Sequence, residues 1–202
     1  MNSKPSKPFF SGMKIHDDSG QRLYLSESER AAFIEACYKL PNPQKSFCLL
    51  LVYTGCRISE ARNLRCEDFL YHEQMVLFRT LKRRDEKHFR YLPLPAAVAT
   101  TIETQRLAHD KSRKYIWSET AYPPPRIKCY RWVKRAMNDL GIKGPRASPK
   151  GLRHTFGAHA IDNGIQLHIL QRWMGHANIE TTSIYTNVLG DEERKLASKM
   201  WE

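Results

Sequence analysis

Tyr185 stands nine residues after His176, and two distant, tightly punctuated segments carry arginines: Thr54-Gly55-Cys56-Arg57-Ile58-Ser59-Glu60 and Lys150-Gly151-Leu152-Arg153-His154. Arg57 falls on a tight turn just ahead of a predicted helix start. Free amides and positive potential there suit a phosphate, and the guanidinium adds a fork of donors. Lys150 and Arg153, three apart, share one face of a predicted helix. Gly175-His176 follows the apolar Leu170, Trp173 and Met174. Cations bracketing a phenol suit attack of the phenol oxygen on a phosphodiester, because two guanidiniums can neutralise the charge that builds on the non-bridging oxygens. Taken singly these residues are ordinary: a lone tyrosine is usually a core or interface side chain, and a lone arginine a surface ion pair. Glu60 reads as structural, orienting a neighbouring cation.

The elements that must position these groups are legible from pattern. Residues 1–20 mix Pro, Ser, Gly and charge and read as a loose, flexible leader, with the domain proper over 21–202. Ser26-Glu27-Ser28-Glu29 is a capping box, opening a helix that would bury Ala32, Phe33, Ala36 and Leu40 and stop at Pro41-Asn42-Pro43. Ser46 to Tyr53 is an apolar helix ending near Thr54-Gly55, and Ser59 is expected to cap a short helix through Leu64. Met75–Thr80 and Phe89–Leu94 are β-rich runs flanking a charged turn, which predicts a hairpin. Further helices are expected over Pro95–His109, Arg126–Leu140, Pro149–Asn163, Leu167–Met174, Ile179–Tyr185 and Asp191–Trp201, with Tyr115-Ile116-Trp117 a short buried segment. The fold class is therefore mainly α (α+β), a helical bundle with a small antiparallel sheet at one edge.

Of 202 residues, 41% are hydrophobic and 10% aromatic, enough for a core. Lys and Arg exceed Asp and Glu by 12, and the surplus is concentrated. Residues 120–179 hold ten bases against Asp139 and Asp162, a net +8. A second knot, Arg79 to Arg90, adds Lys82, Arg83, Arg84 and Lys87. Such a field predicts a polyanionic partner, with nucleic acid ahead of an acidic membrane, because neutralising phosphates releases condensed counterions. There is neither a bilayer-length apolar run nor a signal-peptide stretch, so a cytoplasmic location is expected. Cys37, Cys48, Cys56, Cys66 and Cys129 form no CxxC pair and read as reduced thiols. His154 and His159 are five apart, a poor helical metal pair, so no metal is expected.

Thr54–Glu60, Gly151–Phe156 and Met174–Thr186 together resemble the signature boxes of the tyrosine recombinase (phage integrase) family, in order, over about Leu25 to Trp201. The resemblance implies a catalytic domain in which Arg57 and Arg153 clamp the scissile phosphate. Lys82 would be the general acid on the leaving 5′-oxygen, with Lys87 the competing choice. His176 would contact the phosphate or orient the tyrosine, and Tyr185 would be the nucleophile of a 3′-phosphotyrosyl intermediate. That link conserves the bond energy, so no cofactor is implied. Arg83, Arg84, Lys87, Arg126, Lys128, Arg131, Arg135 and Arg146 would grip the DNA backbone.

Two departures from the pattern stand out. The second box usually reads His-x-x-Arg, and Lys150 occupies the His position. A cation there could favour a phenolate or contact phosphate, but could not accept a proton unless its own pKa were depressed. Also, the N-terminal core-binding domain common in the family is not seen, so the chain resembles short, catalytic-domain-only members such as the fimbrial phase-variation invertases. The implied partner is duplex DNA, bound by a nucleoid-associated homotetramer on paired sites. The helix Asp191–Trp201 would dock in trans, and an accessory DNA-binding protein could supply the missing clamp. Two alternatives remain open at this level: a catalytically silent DNA-binding regulator, and a type IB topoisomerase-like strand relaxer.

Overall fold

The computed structural model describes residues 14–79, 89–108 and 113–187. Lys82, Arg83, Arg84 and Lys87, and the expected helix Asp191–Trp201, lie outside these residues. Eight α-helices and three strands follow in chain order among them: α1 Glu27–Lys39, α2 Gln44–Thr54, α3 Ile58–Arg62, β1 Phe69–Leu70, β2 Met75–Arg79, β3 Phe89–Pro93, α4 Ala96–Leu107, α5 Arg126–Asp139, α6 Pro149–Asp162, α7 Leu167–Met174 and α8 Glu180–Ser183. A 3-10 turn, Ile184–Asn187, continues α8.

The capping box forms as expected: Ser26 Oγ accepts from the Glu29 amide at 3.2 Å, and Glu29 Oε2 accepts from the Ser26 amide at 2.9 Å. The inward stripe of α1 is narrower than the apolar spacing suggests. It is set by Phe33 and Cys37, while Ala32 is exposed and Ala36 half-buried. Methyl groups give too little burial to choose a face against a phenyl ring. Helix α2 is apolar around its whole circumference, as suits a helix inside a bundle; α1, α4, α5 and α6 surround it. Phe47 on α2 meets Trp117 and Trp132 edge-on, with ring centroids 5.6 and 5.4 Å away, and the Trp117 indole donates to the Ala61 carbonyl of α3 at 2.7 Å. Ile116 and Trp117 are buried as the sequence indicates.

The strands form one antiparallel sheet in the order β1-β2-β3, with Arg79 opposite Phe89 where the chain leaves β2 and returns on β3. A second, smaller core joins Ile15, Ala158, Ala160, Leu170, Met174 and Tyr185. Residues 14–20, read from sequence as part of a loose leader, are therefore folded on. Ile15 is buried, its carbonyl accepts from the Leu23 amide at 2.7 Å, and His16 bridges to Arg22. One isoleucine among polar neighbours has no periodicity by which to announce this. Among the described residues, no helix is long and apolar enough to cross a membrane.

Candidate active site

The first box is built around a helix start. Gly55 ends α2 in the left-handed region (φ 58°), and a Cβ there would lie 2.5 Å from the Phe156 ring of α6, so only glycine fits both demands. The chain then enters α3 with Arg57, not Ser59, at the N-cap. Glu60 Oε2 accepts from the Arg57 amide at 2.8 Å, and Oε1 from its guanidinium at 3.2 Å. The same carboxylate takes a bidentate pair from Arg90 of β3, at 3.1 and 2.7 Å, while Arg90 Nε donates to the Trp173 carbonyl of α7 at 2.8 Å. Glu60 thus orients cations, in keeping with its sequence context. Burial alone would raise its pKa, but hydrogen bonds and charge from Arg90, then Arg57, hold it below the usual carboxylate range.

The second box places Arg153 on α6, almost wholly buried. Its Nη1 donates to the Gly55 carbonyl at 2.8 Å and its Nη2 to the Met174 carbonyl at 2.7 Å. One guanidinium therefore ties the residue two before Arg57 to the residue two before His176. Burial, then the charge of Arg57, pulls Arg153 down to about 10, which leaves it a cation at neutral pH. Arg57 keeps 29% of its side chain exposed, so of the two guanidiniums one is embedded and the other accessible. Lys150, one turn before His154, is exposed.

The third box supplies an imidazole and a phenol. His176 is buried, with Nδ1 2.9 Å from Thr182 Oγ1 of α8 and no partner on Nε2 among the described residues. With the threonine hydroxyl donating to Nδ1, Nε2 carries a proton and has nothing to give it to. Burial, then Arg153, Arg57, Arg90 and His154, pulls its pKa to about 3, so the ring is neutral. Tyr185, on the 3-10 turn, is fully buried. Its ring lies so close over Gly157 that a Cβ there would sit 2.5 Å from Cζ, and its hydroxyl is 3.2 Å from His154 Nδ1. Burial pushes its pKa up, while Arg153 and Arg57 pull the other way.

Arg57 and Arg153 thus lie close enough to act on both His176 and Tyr185, though the four come from the N-cap of α3, α6, the loop after α7 and the turn after α8. The sequence does not mark Arg90, which falls within the basic knot expected to face DNA; on β3 it is buried between exposed Phe89 and Tyr91, the reverse of what the residue types suggest. Arg79 likewise is occupied, pairing with Asp68 and Glu67. Nor does the sequence mark His154 and Gly157 as partners of the phenol, although both follow Arg153 on one helix. Arg126, Lys128, Arg131 and Arg135 are exposed along α5, opposite buried Cys129, Trp132, Val133, Ala136 and Met137. Arg146 departs from that row: half-buried, it pairs with Glu29 of α1 at 3.1 Å and serves as a tether.

The helical fold around this cluster is that of recombinase and integrase catalytic domains. It superposes on the crystal structure of XerA recombinase with a TM-score of 0.75 at 25% identity, covering 88% of this chain and 64% of that one. On the catalytic domain of bacteriophage HP1 integrase the TM-score is 0.63 at 21% identity, covering 87% and 93%, a likeness of fold alone. The chain belongs to the phage integrase family, whose model matches residues 23–192. It is 31% identical over 165 residues to tyrosine recombinase XerA of Pyrococcus furiosus and 30% identical over 180 residues to a tyrosine recombinase of Pseudothermotoga lettingae. These matches cover 81% and 88% of this chain but only 57% and 60% of those proteins.

Proposed function

We propose that this chain cuts and rejoins duplex DNA as a site-specific tyrosine recombinase, with Tyr185 attacking the scissile phosphate to give a 3′-phosphotyrosyl intermediate. The observation that carries the reading is that Arg57 and Arg153 lie close enough to act on both His176 and Tyr185, with Arg153 held by two backbone carbonyls. Donors already aimed need no reorganisation as charge develops on the phosphate. Arg57 and Arg153 would hold the non-bridging oxygens, and the unpartnered His176 Nε2 proton would meet a third acceptor. Lys82 or Lys87, both outside the described residues, would protonate the leaving 5′-oxygen. The exposed row on α5 would take the DNA backbone, and paired sites would be exchanged within a tetramer when the partner duplex's 5′-hydroxyl attacks the phosphotyrosine. Relatives named XerA, the XerH site-specific recombinase solved bound to its palindromic difH substrate and the Tn1549 transposon integrase solved in complex with circular intermediate DNA support this reading.

The test uses nicked duplexes drawn from a random-sequence pool, from which the cut site is selected by covalent capture on the wild-type protein. A denaturant-resistant adduct that forms with wild type and is lost in Tyr185→Phe is expected. An adduct that survives the substitution moves the nucleophile elsewhere. Relaxation of supercoiled plasmid without intermolecular exchange would point to the topoisomerase-like alternative.

A further inference from the structure

The position that usually supplies a histidine in the second box holds Lys150, which is exposed and offers no lone pair as an ammonium. One turn further along α6, His154 is buried, with Nδ1 3.2 Å from the Tyr185 hydroxyl and the two rings 5.9 Å apart at 56°. Its Nε2 is buried, with no partner among the described residues. We propose that His154 is the proton partner of Tyr185, holding the phenol in place and taking its proton as the bond to phosphorus forms. This rests on the recombinase reading above.

The charged and titratable groups around the imidazole are Lys150 and Arg153 on its own helix, Tyr185 from the 3-10 turn and His176 from the loop after α7. Burial, then Lys150 and Arg153, pulls the ring to about 4, so at neutral pH it is a free base with Nδ1 able to accept. Lys150 then acts electrostatically, its charge keeping the base unprotonated. In the step, Tyr185 Oη bonds to phosphorus as the bond to the 5′-oxygen breaks. The phenolic proton passes to Nδ1, giving an imidazolium, and the leaving oxygen takes its proton from the general acid of that reading, Lys82 or Lys87. A phenol surrenders its proton readily only as its oxygen becomes an ester oxygen, and the arriving phosphate charge offsets the two neighbouring cations. Both changes favour a late transfer to a weak base. Rejoining returns the proton to the phenol.

Single-turnover cleavage of the selected nicked duplex distinguishes this from mere packing. His154→Gln keeps an acceptor near the hydroxyl but cannot carry the proton. It is expected to bind the duplex like wild type and to form adduct about 100-fold more slowly. In His154→Ala, added imidazoles should restore cleavage at rates that rise with the basicity of the added ring. A His154→Gln rate within about threefold of wild type overturns the proposal, and so does a rescue that is absent or indifferent to basicity. If wild type gives a Tyr185-dependent adduct while His154→Gln is unaffected, the recombinase reading stands and this assignment alone falls.

Discussion

The arginine cluster and the tyrosine corner are built by opposite means. Glu60 binds Arg57 and Arg90 with both its oxygens, and Arg90 and Arg153 anchor themselves on backbone carbonyls of other elements. Each hydrogen bond to a charge is strong and directional, so the cluster is fixed from several sides. Tyr185 is held by a flat contact with Gly157, apolar neighbours in the smaller core and a hydroxyl contact with His154. On the proposed reading, the groups that would neutralise charge are held by directional bonds. The group that would reach phosphorus rests in apolar packing, which is non-directional.

The largest effect should come from breaking the arginine cluster. Arg153→Ala is expected to slow adduct formation by about 10³-fold or more, as for arginines that stabilise phosphoryl-transfer charge, measured in single turnover on the nicked duplex. Glu60→Ala leaves a buried guanidinium without its carboxylate and should lower the urea-unfolding free energy by about 3–5 kcal/mol. Because Glu60 titrates below its unfolded value, its contribution is present above the unfolded carboxyl pKa and lost as pH falls through the folded one. Glu60→Gln should therefore flatten the acid limb of stability.

The tyrosine side should respond differently. Gly157→Ala is expected to cost about 1–3 kcal/mol through overpacking and to push the phenol out of its slot, raising nitration of Tyr185 by tetranitromethane. An unchanged nitration level would mean that the ring does not depend on that contact. His154 and His176 are neutral in the fold but protonate near pH ~6.5 when unfolded, so the unfolded state binds more protons below that value. Stability should fall from about pH 6.5 toward about pH 4 by up to roughly 1.4 kcal/mol per pH unit for each ring. Replacing either by Gln should remove its share. Smallest of all, neutralising Arg126, Lys128, Arg131 or Arg135 should leave adduct chemistry intact once DNA is bound, and reduce the salt slope of binding by about one per residue.

The helices were legible because their apolar stripes and caps are local: Ser26, Gly55, Pro149 and Gly175 mark ends that the structure places where the sequence does. The four candidate site residues were legible because their boxes keep order and spacing. Arg90 was not, since its partner Glu60 lies 30 positions earlier and a guanidinium in a basic run looks solvated until a buried carboxylate is found. The pairing of Arg146 with Glu29, 117 positions apart, was hidden for the same reason. In sequence His154 stands out only as half of a poor metal pair, because its contact with Tyr185 depends on how a short 3-10 turn folds back over α6. Long-range pairing of polar groups is settled by packing, and no local period encodes it.

The most direct measurement is to digest the covalent protein–DNA product with nuclease and trypsin and locate the residual nucleotide by mass spectrometry. The account predicts that it sits on Tyr185, within the peptide running from Trp173 to Arg194. A nucleotide carried by any other residue, or a Tyr185→Phe protein that yields the same modified peptide, would contradict it.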